Sequence, residues 1–248
     1  MDLMFLGDLH GKFDSLIKQI KSDNITDTHI VQVGDFGVGF KTFIKDKRHL
    51  SMYHHILLKN NIHLWAIRGN HDYKPYFDKD PFGFSNIHLV SDYTVLNLCG
   101  KNILCIGGAI SIDRIPNGYF YAHEIPKKPT GNENWWPDEV FNIDRERLKN
   151  FRDINIVVTH TAPDYCVPNN VNGFSFVVNN MVDTYGDTEL KTDLMVERYL
   201  LTETFNILKE NNNIECAYYG HFHESYSDYK DGTYYRLLNI NQLYKHKL

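Results

Sequence analysis

Three short apolar runs, Leu3–Leu6, Ile30–Val33 and Ile62–Ile67, are separated by stretches whose apolar residues recur at helical spacing. Phe13, Leu16, Ile17 and Ile20 share one helical face after the first run, and Leu50–Leu58 carries a second helix after the next. A helix between two strands returns the chain to the end of the sheet from which it left, so this alternation calls for parallel strands and an α/β architecture.

Further strands are expected at Ile87–Val90, Thr94–Leu98 and Ile103–Ile106, too close together for helical crossovers and therefore joined as hairpins. Periodicity then disappears from Ser111 to Asp138, where Pro116, Pro126, Pro129 and Pro137 fall among Tyr119, Phe120, Tyr121, Trp135 and Trp136. Long irregular stretches of this kind are usually functional or mobile. These aromatics have two readings: they pack the segment onto the core, or they form a stacking rim beside a site, with Trp135 as the test residue. Ile154–Val158 reads as a buried strand, and a second irregular stretch, 162–188, precedes a helix at Asp193–Lys209. Ile214–Tyr219 is a strand, and Tyr226–Tyr229 and Tyr234–Ile240 form a hairpin through Asp231-Gly232. No repeat or linker divides the chain, which reads as one domain over 1–248 with insertions near 111–138 and 162–188.

Lys and Arg number 26 against 31 Asp and Glu, a formal net charge of −5, which excludes an electrostatically driven grip on duplex DNA. Nucleic acid enters only as a candidate substrate. No apolar run approaches the roughly 18 residues of a membrane span, so no membrane partner is expected. Cys99, Cys105, Cys166 and Cys216 are scattered without a CxxC pair, which argues against a disulfide framework. The start, Met1-Asp2-Leu3-Met4-Phe5-Leu6, lacks the basic, apolar and cleavage regions of a signal peptide, and a cytoplasmic location is expected.

The chemistry lies in five polar clusters, each directly after a strand: Gly7-Asp8-Leu9-His10-Gly11, Gly34-Asp35-Phe36-Gly37, Gly69-Asn70-His71-Asp72, Thr159-His160 and Gly220-His221-Phe222-His223. Sites in α/β sheets assemble at the carboxyl ends of strands, so clusters spread over two hundred residues of chain share one crevice. Singly, each has a bland explanation. Asp8 could cap a helix starting near Lys12, Asp35 could hold a turn, and the paired histidines could end a strand. Jointly they form an inventory of metal ligands that chance does not assemble in this order.

Order and content closely resemble the calcineurin-like metallophosphoesterase superfamily, whose signature runs D-x-H, G-D, G-N-H-D/E, a later His, and G-H-x-H. The resemblance covers Asp8 to His223. It implies an α/β (α+β) fold, a four-layer αββα sandwich with two mixed β-sheets flanked by helices. It implies two metal ions: Asp8, His10 and His223 at the first, Asn70, His160 and His221 at the second, and Asp35 bridging both. Mn is expected first, and Fe, Zn or Ni also suit these donors. The implied reaction is phosphoester hydrolysis by in-line attack of a metal-bridging hydroxide. In the family the position of His71 does not ligate metal but protonates the leaving oxygen or stabilises the transition state, and Asp72 is expected to orient its ring.

Superfamily Ser/Thr protein phosphatases read G-D-x-V-D-R-G at the second element, whereas this chain has Gly34-Asp35-Phe36-Gly37-Val38-Gly39. The missing Asp-Arg pair disfavours a dedicated protein phosphatase. Gly107-Gly108-Ala109-Ile110-Ser111-Ile112-Asp113, followed by Trp135-Trp136-Pro137-Asp138-Glu139, resembles a bacterial and phage-type group of small metallophosphoesterases with poorly defined substrates. Phosphatase and phosphodiesterase activity stay open at this point. So do a nuclease or cyclic-nucleotide phosphodiesterase and a catalytically idle metal-binding scaffold. Outside the clusters, Arg68 either reaches a phosphate or pairs structurally, and His123 sits in the aromatic stretch. His29, His49, His54, His55, His63, His88 and His246 read as structural.

Overall fold

A computed structural model describes residues 1–114, 135–166 and 171–246. The alternation read from the first third builds one sheet. Strands β1 (Asp2–Leu6), β2 (Thr28–Gln32), β3 (Ile62–Ala66) and β4 (Ile87–Leu89) pair in parallel in that order. Helices α1 (Phe13–Ser22), α2 (Phe43–Lys59) and α3 (Lys74–Lys79) make the crossovers. A second sheet runs β5 (Thr94–Leu98), β6 (Lys101–Ile106), β7 (Ile156–Thr159), β8 (Cys216–Tyr219), then β10 (Thr233–Leu237) and β9 (Tyr226–Lys230) at its edge. Strands β6, β7, β8 and β10 are parallel neighbours, and β5 and β9 are antiparallel edges. Helices α4 (Arg145–Asn150), α5 (Val171–Tyr185) and α6 (Leu190–Lys209) complete the described elements, with β11 (Leu243–Lys245) below.

Alternation along single strands produces the layering. In β1, Leu3 and Phe5 enter the core between the two sheets, while Leu6 joins Leu16, Leu50 and Leu57 under the helices. In β7, Ile156 and Val158 face the first sheet, and Val157 meets Leu201 and Phe205 of α6. Each sheet is thus apolar on both faces, the pattern of buried parallel strands. Two mixed sheets packed face to face with helices outside form the expected four-layer arrangement.

Three local expectations are corrected. β4 and β5 are not a hairpin: α3 delivers β4 to the open edge of β3 in parallel register, and the chain then crosses to the second sheet. The crossing is pinned by Asp92, whose carboxylate accepts from Gly107 N–H at 2.9 Å and from the Arg68 guanidinium at 2.8 and 3.0 Å. The stretch 162–188 contains a helix, α5, despite its Asn-rich and β-branched composition. Val178, Met181 and Val182 recur at helical spacing and pack on Ile110, Leu190 and Leu194, so tertiary burial overrides weak propensity. The same contacts start α6 at Leu190 rather than at Asp193.

The closing hairpin turns at Asp231 and Gly232, both at positive φ (47° and 80°), as an Asp-Gly turn between twisted strands requires. Beyond it, β11 adds antiparallel to the free edge of β1, a strand too short to leave a sequence signal. Among the described residues no helix is long and apolar enough to cross a membrane.

Candidate metal centre

All five clusters lie at the carboxyl ends of β1, β2 and β3 in one sheet and β7 and β8 in the other. Backbone bonds stitch the loops together. Leu9 and His10 donate N–H to Asp35 O at 3.0 and 2.8 Å, and Gly220 N–H donates to His160 O at 3.0 Å. The glycines that open three clusters make room for side chains from other loops. A β-carbon on Gly34 would collide with the His160 ring, one on Gly69 with the Asp35 carboxylate, and one on Gly220 with the Asp8 carboxylate. His10, Asp35, His221 and His223 all adopt left-handed backbone (φ 47°, 54°, 70° and 54°), a conformation costly for residues with a β-carbon that concentrates at functional sites.

Two groups of donors form around Asp35. Asp8, His10, Asp35 and His223 each offer a ligand atom within 4.8 Å of the others. Asp35 Oδ2 lies 3.6 Å from His10 Nε2, His223 Nε2 lies 3.3 Å from Asp8 Oδ2, and the His10 and His223 Nε2 atoms are 3.1 Å apart. On the other side Asp35 Oδ1 is 3.3 Å from His160 Nε2, while Asn70 Oδ1 is 3.0 Å from both His160 Nε2 and His221 Nδ1. Asp8, Asp35, Asn70 and His160 are buried, whereas the His223 side chain is 46% exposed, so the histidines at the ends of both groups meet the opening.

Electrostatics follows from burial and from these neighbours. Burial works against a charged His160, but the Asp35 carboxylate beside it pushes the ring up to about 9. Asp35 is held well below the usual carboxylate range: burial opposes its charge, but the charge of His160 and the hydrogen bond to it prevail. Burial drives His221 well down and lowers His10. His160 Nδ1 sits 2.8 Å from Val33 O and donates its N–H there, so the proton that Asp35 favours is on Nε2, and a cation that displaces it would meet the Nε2 lone pair. Seven nitrogen and oxygen donors of three residue types, Asp, Asn and His, without a thiolate, are a set that fits a divalent cation.

The structure brings together all seven expected ligands, with His71 beside them. The His71 backbone N–H donates to Asp35 Oδ1 at 2.8 Å, and its ring lies 5.7 Å from the His10 ring and 5.6 Å from the Phe40 ring. Asp72, expected to orient that ring, turns its carboxylate to the backbone instead. It accepts from Phe36, Gly37, Val38 and Gly69 N–H groups at 2.7–3.2 Å, locking the Asp35 loop to the Asn70 loop. Burial and the nearby Asp35 charge push Asp72 up to about 7, and the N–H bonds from Gly69, Phe36 and Gly37 pull the other way.

Arg68 is structural. It is 1% exposed and, besides Asp92, donates to the carbonyls of Asp138, Glu139 and Val140. The aromatic rim is also relocated. Trp135 lines a separate cavity with Arg114 and Asp187, and Trp136 is buried against Phe40 and Tyr73. Tyr119, Phe120, Tyr121 and His123 lie outside the described residues. The cavity beside these donors, about 650 Å³, is walled by Ile112 and Phe222, which lie inside sequence motifs, and by Phe176, Val177 and Met181, which no motif marked.

Strand ends of two facing sheets that converge on carboxylate, carboxamide and imidazole donors define a metal-dependent phosphoesterase site. The model of the calcineurin-like phosphoesterase family matches residues 1–225, and the chain belongs to this family. Metal-dependent hydrolysis of phosphoesters is the chemistry of that class. No curated protein matches the chain. Among solved structures it is similar to a phosphopantetheinyl hydrolase from Mycobacterium tuberculosis, at 13% identity and TM-score 0.48, covering 99% of this chain and 96% of that one. A putative 5'-nucleotidase from Staphylococcus aureus is similar at 10% identity and TM-score 0.45, over 97% and 49% of the two chains. The GAP50 anchor in the inner membrane complex of Plasmodium is similar at 12% and 0.41, over 96% and 71%.

Proposed function

We propose that this chain hydrolyses phosphoesters at a pair of divalent cations, one held by Asp8, His10 and His223, the other by Asn70, His160 and His221, with Asp35 shared. The observation that carries this reading is the split of the Asp35 carboxylate, Oδ1 toward His160 and Oδ2 toward His10. A carboxylate with its oxygens aimed at separate donor groups suits two ions, and Mn is the first candidate ahead of Fe, Zn and Ni. When bound, such ions supply an activated water and offset the charge that builds on the phosphoryl oxygens during in-line displacement.

The chain's own residues orient and protonate. Asp72 holds the Asp35 loop against the Asn70 loop, and Val33 O fixes the His160 tautomer. His71 lines the cavity beside the donors with its backbone tied to Asp35, and it protonates the leaving oxygen. The four unpaired cysteines suit a reducing, cytoplasmic compartment.

Metal analysis paired with a panel of a phosphomonoester, a phosphodiester, cyclic nucleotides and an oligonucleotide tests the reading. About two ions per chain and chelator-sensitive turnover of at least one ester are expected. Bound metal without turnover of any ester overturns it in favour of an idle scaffold.

A further inference from the structure

The walls of the metal cavity speak to the substrate. Phe176, Val177 and Met181 of α5 line the same cavity as His71 and His221, with Ile112 and Phe222 completing the apolar lining. Phe176 is 72% exposed and shares the cavity wall with Val177 and Met181, so it belongs to a contiguous apolar surface rather than standing alone. The only charged residues that the described lining adds to the metal donors are acidic, Asp113 and Glu224, and it holds no Lys or Arg. Among the described lining residues a polyanion would meet carboxylates and no Lys or Arg for its further phosphates, and Arg198, which packs on the Phe222 ring at 5.7 Å, is not part of that lining.

We infer that the cavity is a subsite for the alcohol half of a phosphoester, and that this half is apolar and uncharged. This rests on the phosphoesterase reading above. The test is kcat/KM of the metal-loaded protein over ethyl, butyl, hexyl and octyl phosphate and a short oligonucleotide. Burying each methylene favours binding by about 0.8 kcal/mol at most, so a rise of about two- to fourfold per methylene is expected. Phe176→Ser and Met181→Ser should each flatten that slope. A flat series in the wild type, or preference for the oligonucleotide, overturns the subsite while hydrolysis stands. Absence of turnover on every ester overturns the phosphoesterase reading itself.

A separate set of bonds explains the two motifs that surround the aromatic stretch. Asn70 Nδ2 donates to Ser111 Oγ at 3.0 Å, Ser111 Oγ donates to Glu139 Oε2 at 2.8 Å, and Ser111 N–H donates to Glu139 Oε1 at 2.7 Å. All three residues are 1–2% exposed, and Arg68 clamps the Glu139 carbonyl at 2.7 Å. The chain of donors has a direction. As a carboxylate, which burial opposes by pushing its pKa up to about 8, Glu139 accepts the serine proton and leaves the Ser111 lone pairs for Asn70 N–H, so the amide nitrogen points away from the histidines and Oδ1 faces them.

The geometry points to Ser111 and Glu139 as positioning residues that set which way the Asn70 amide faces. Cobalt(II) titration followed by visible absorption, with elemental analysis after dialysis, tests this on the purified protein. Ser111→Ala and Glu139→Gln should weaken the ion held by Asn70, His160 and His221 by about 10–100-fold and spare the ion at Asp8, His10 and His223. Glutamine is isosteric but donates to Ser111 Oγ, which frees the hydroxyl to turn the amide over. Ser111→Thr keeps the hydroxyl and should restore wild-type binding. Unchanged affinity in Ser111→Ala, or equal weakening of both ions, overturns the assignment. A wild-type titration with one binding event overturns the two-ion reading instead.

Discussion

Phe5 of β1 and Tyr218 of β8 stack face to face across the two sheets, with ring centroids 3.6 Å apart and planes inclined by 8°. The stack sits between the strands whose ends carry Asp8 and His221, and His221 N–H donates to the Asp8 carboxylate at 3.0 Å. Sheet packing and the site are therefore one construction. Phe5→Ala should cost about 3–5 kcal/mol in urea denaturation. It should also weaken metal binding, because the two strand ends lose their common spacer. Full destabilisation with wild-type metal affinity would separate the two.

Asp35→Asn should weaken both ions. One oxygen of the bridge is replaced by an amide nitrogen that cannot ligate, and both donor groups depend on that carboxylate. Elemental analysis after gel filtration checks this: two ions retained at wild-type affinity contradicts a shared ligand. On the wild type, chelation should abolish turnover and added Mn should restore it.

His71→Ala should keep its metals and lose turnover. Proton donation to a leaving group is worth about 10²–10⁴-fold, which is the expected fall in kcat. The loss should shrink for aryl esters, whose leaving oxygens need little protonation. Equal loss for aryl and alkyl esters would place His71 in another role.

Asp46 supplies a pH signature away from the metal centre. Burial raises it from 3.8 to about 6, against the opposing hydrogen bond from Gly39 N–H. An acid raised in the folded state favours folding below its unfolded value, and that contribution is lost as pH rises through the folded value. Its stabilisation should therefore be complete below about pH 3.8 and gone above about pH 6. Asp46→Asn accepts the same N–H without ionising, so its stability relative to wild type should rise across this window. A constant difference over pH 4–7 in denaturant titrations would show that Asp46 does not titrate there.

Sequence alone marked the seven candidate ligands, because each falls in a polar cluster directly after a strand that apolar periodicity marks, and the order of those clusters carries the family resemblance. Gly34, Gly69 and Gly220 are legible as motif letters; only the folded chain shows that each clears space for a ligand from a different loop. The parallel first sheet was legible because β1, β2 and β3 alternate with amphipathic helices. The departure of β4 from β5 was not, since both strands are apolar and only the free edge of β3 decides between them. Helix α5 was hidden for the same reason: its composition is poor for a helix, and its partners Leu190 and Ile110 are remote or separated by other chain. Tertiary structure alone decided the fates of Asp72, Arg68, Trp135 and Glu139. A side chain's neighbour in sequence says little about its neighbour in space, and these residues act on backbone or side chains from other loops. The apolar cavity wall was invisible for a related reason. Phe176 and Met181 lie in a stretch without visible periodicity, and only the fold sets them on one helix beside the candidate ligands.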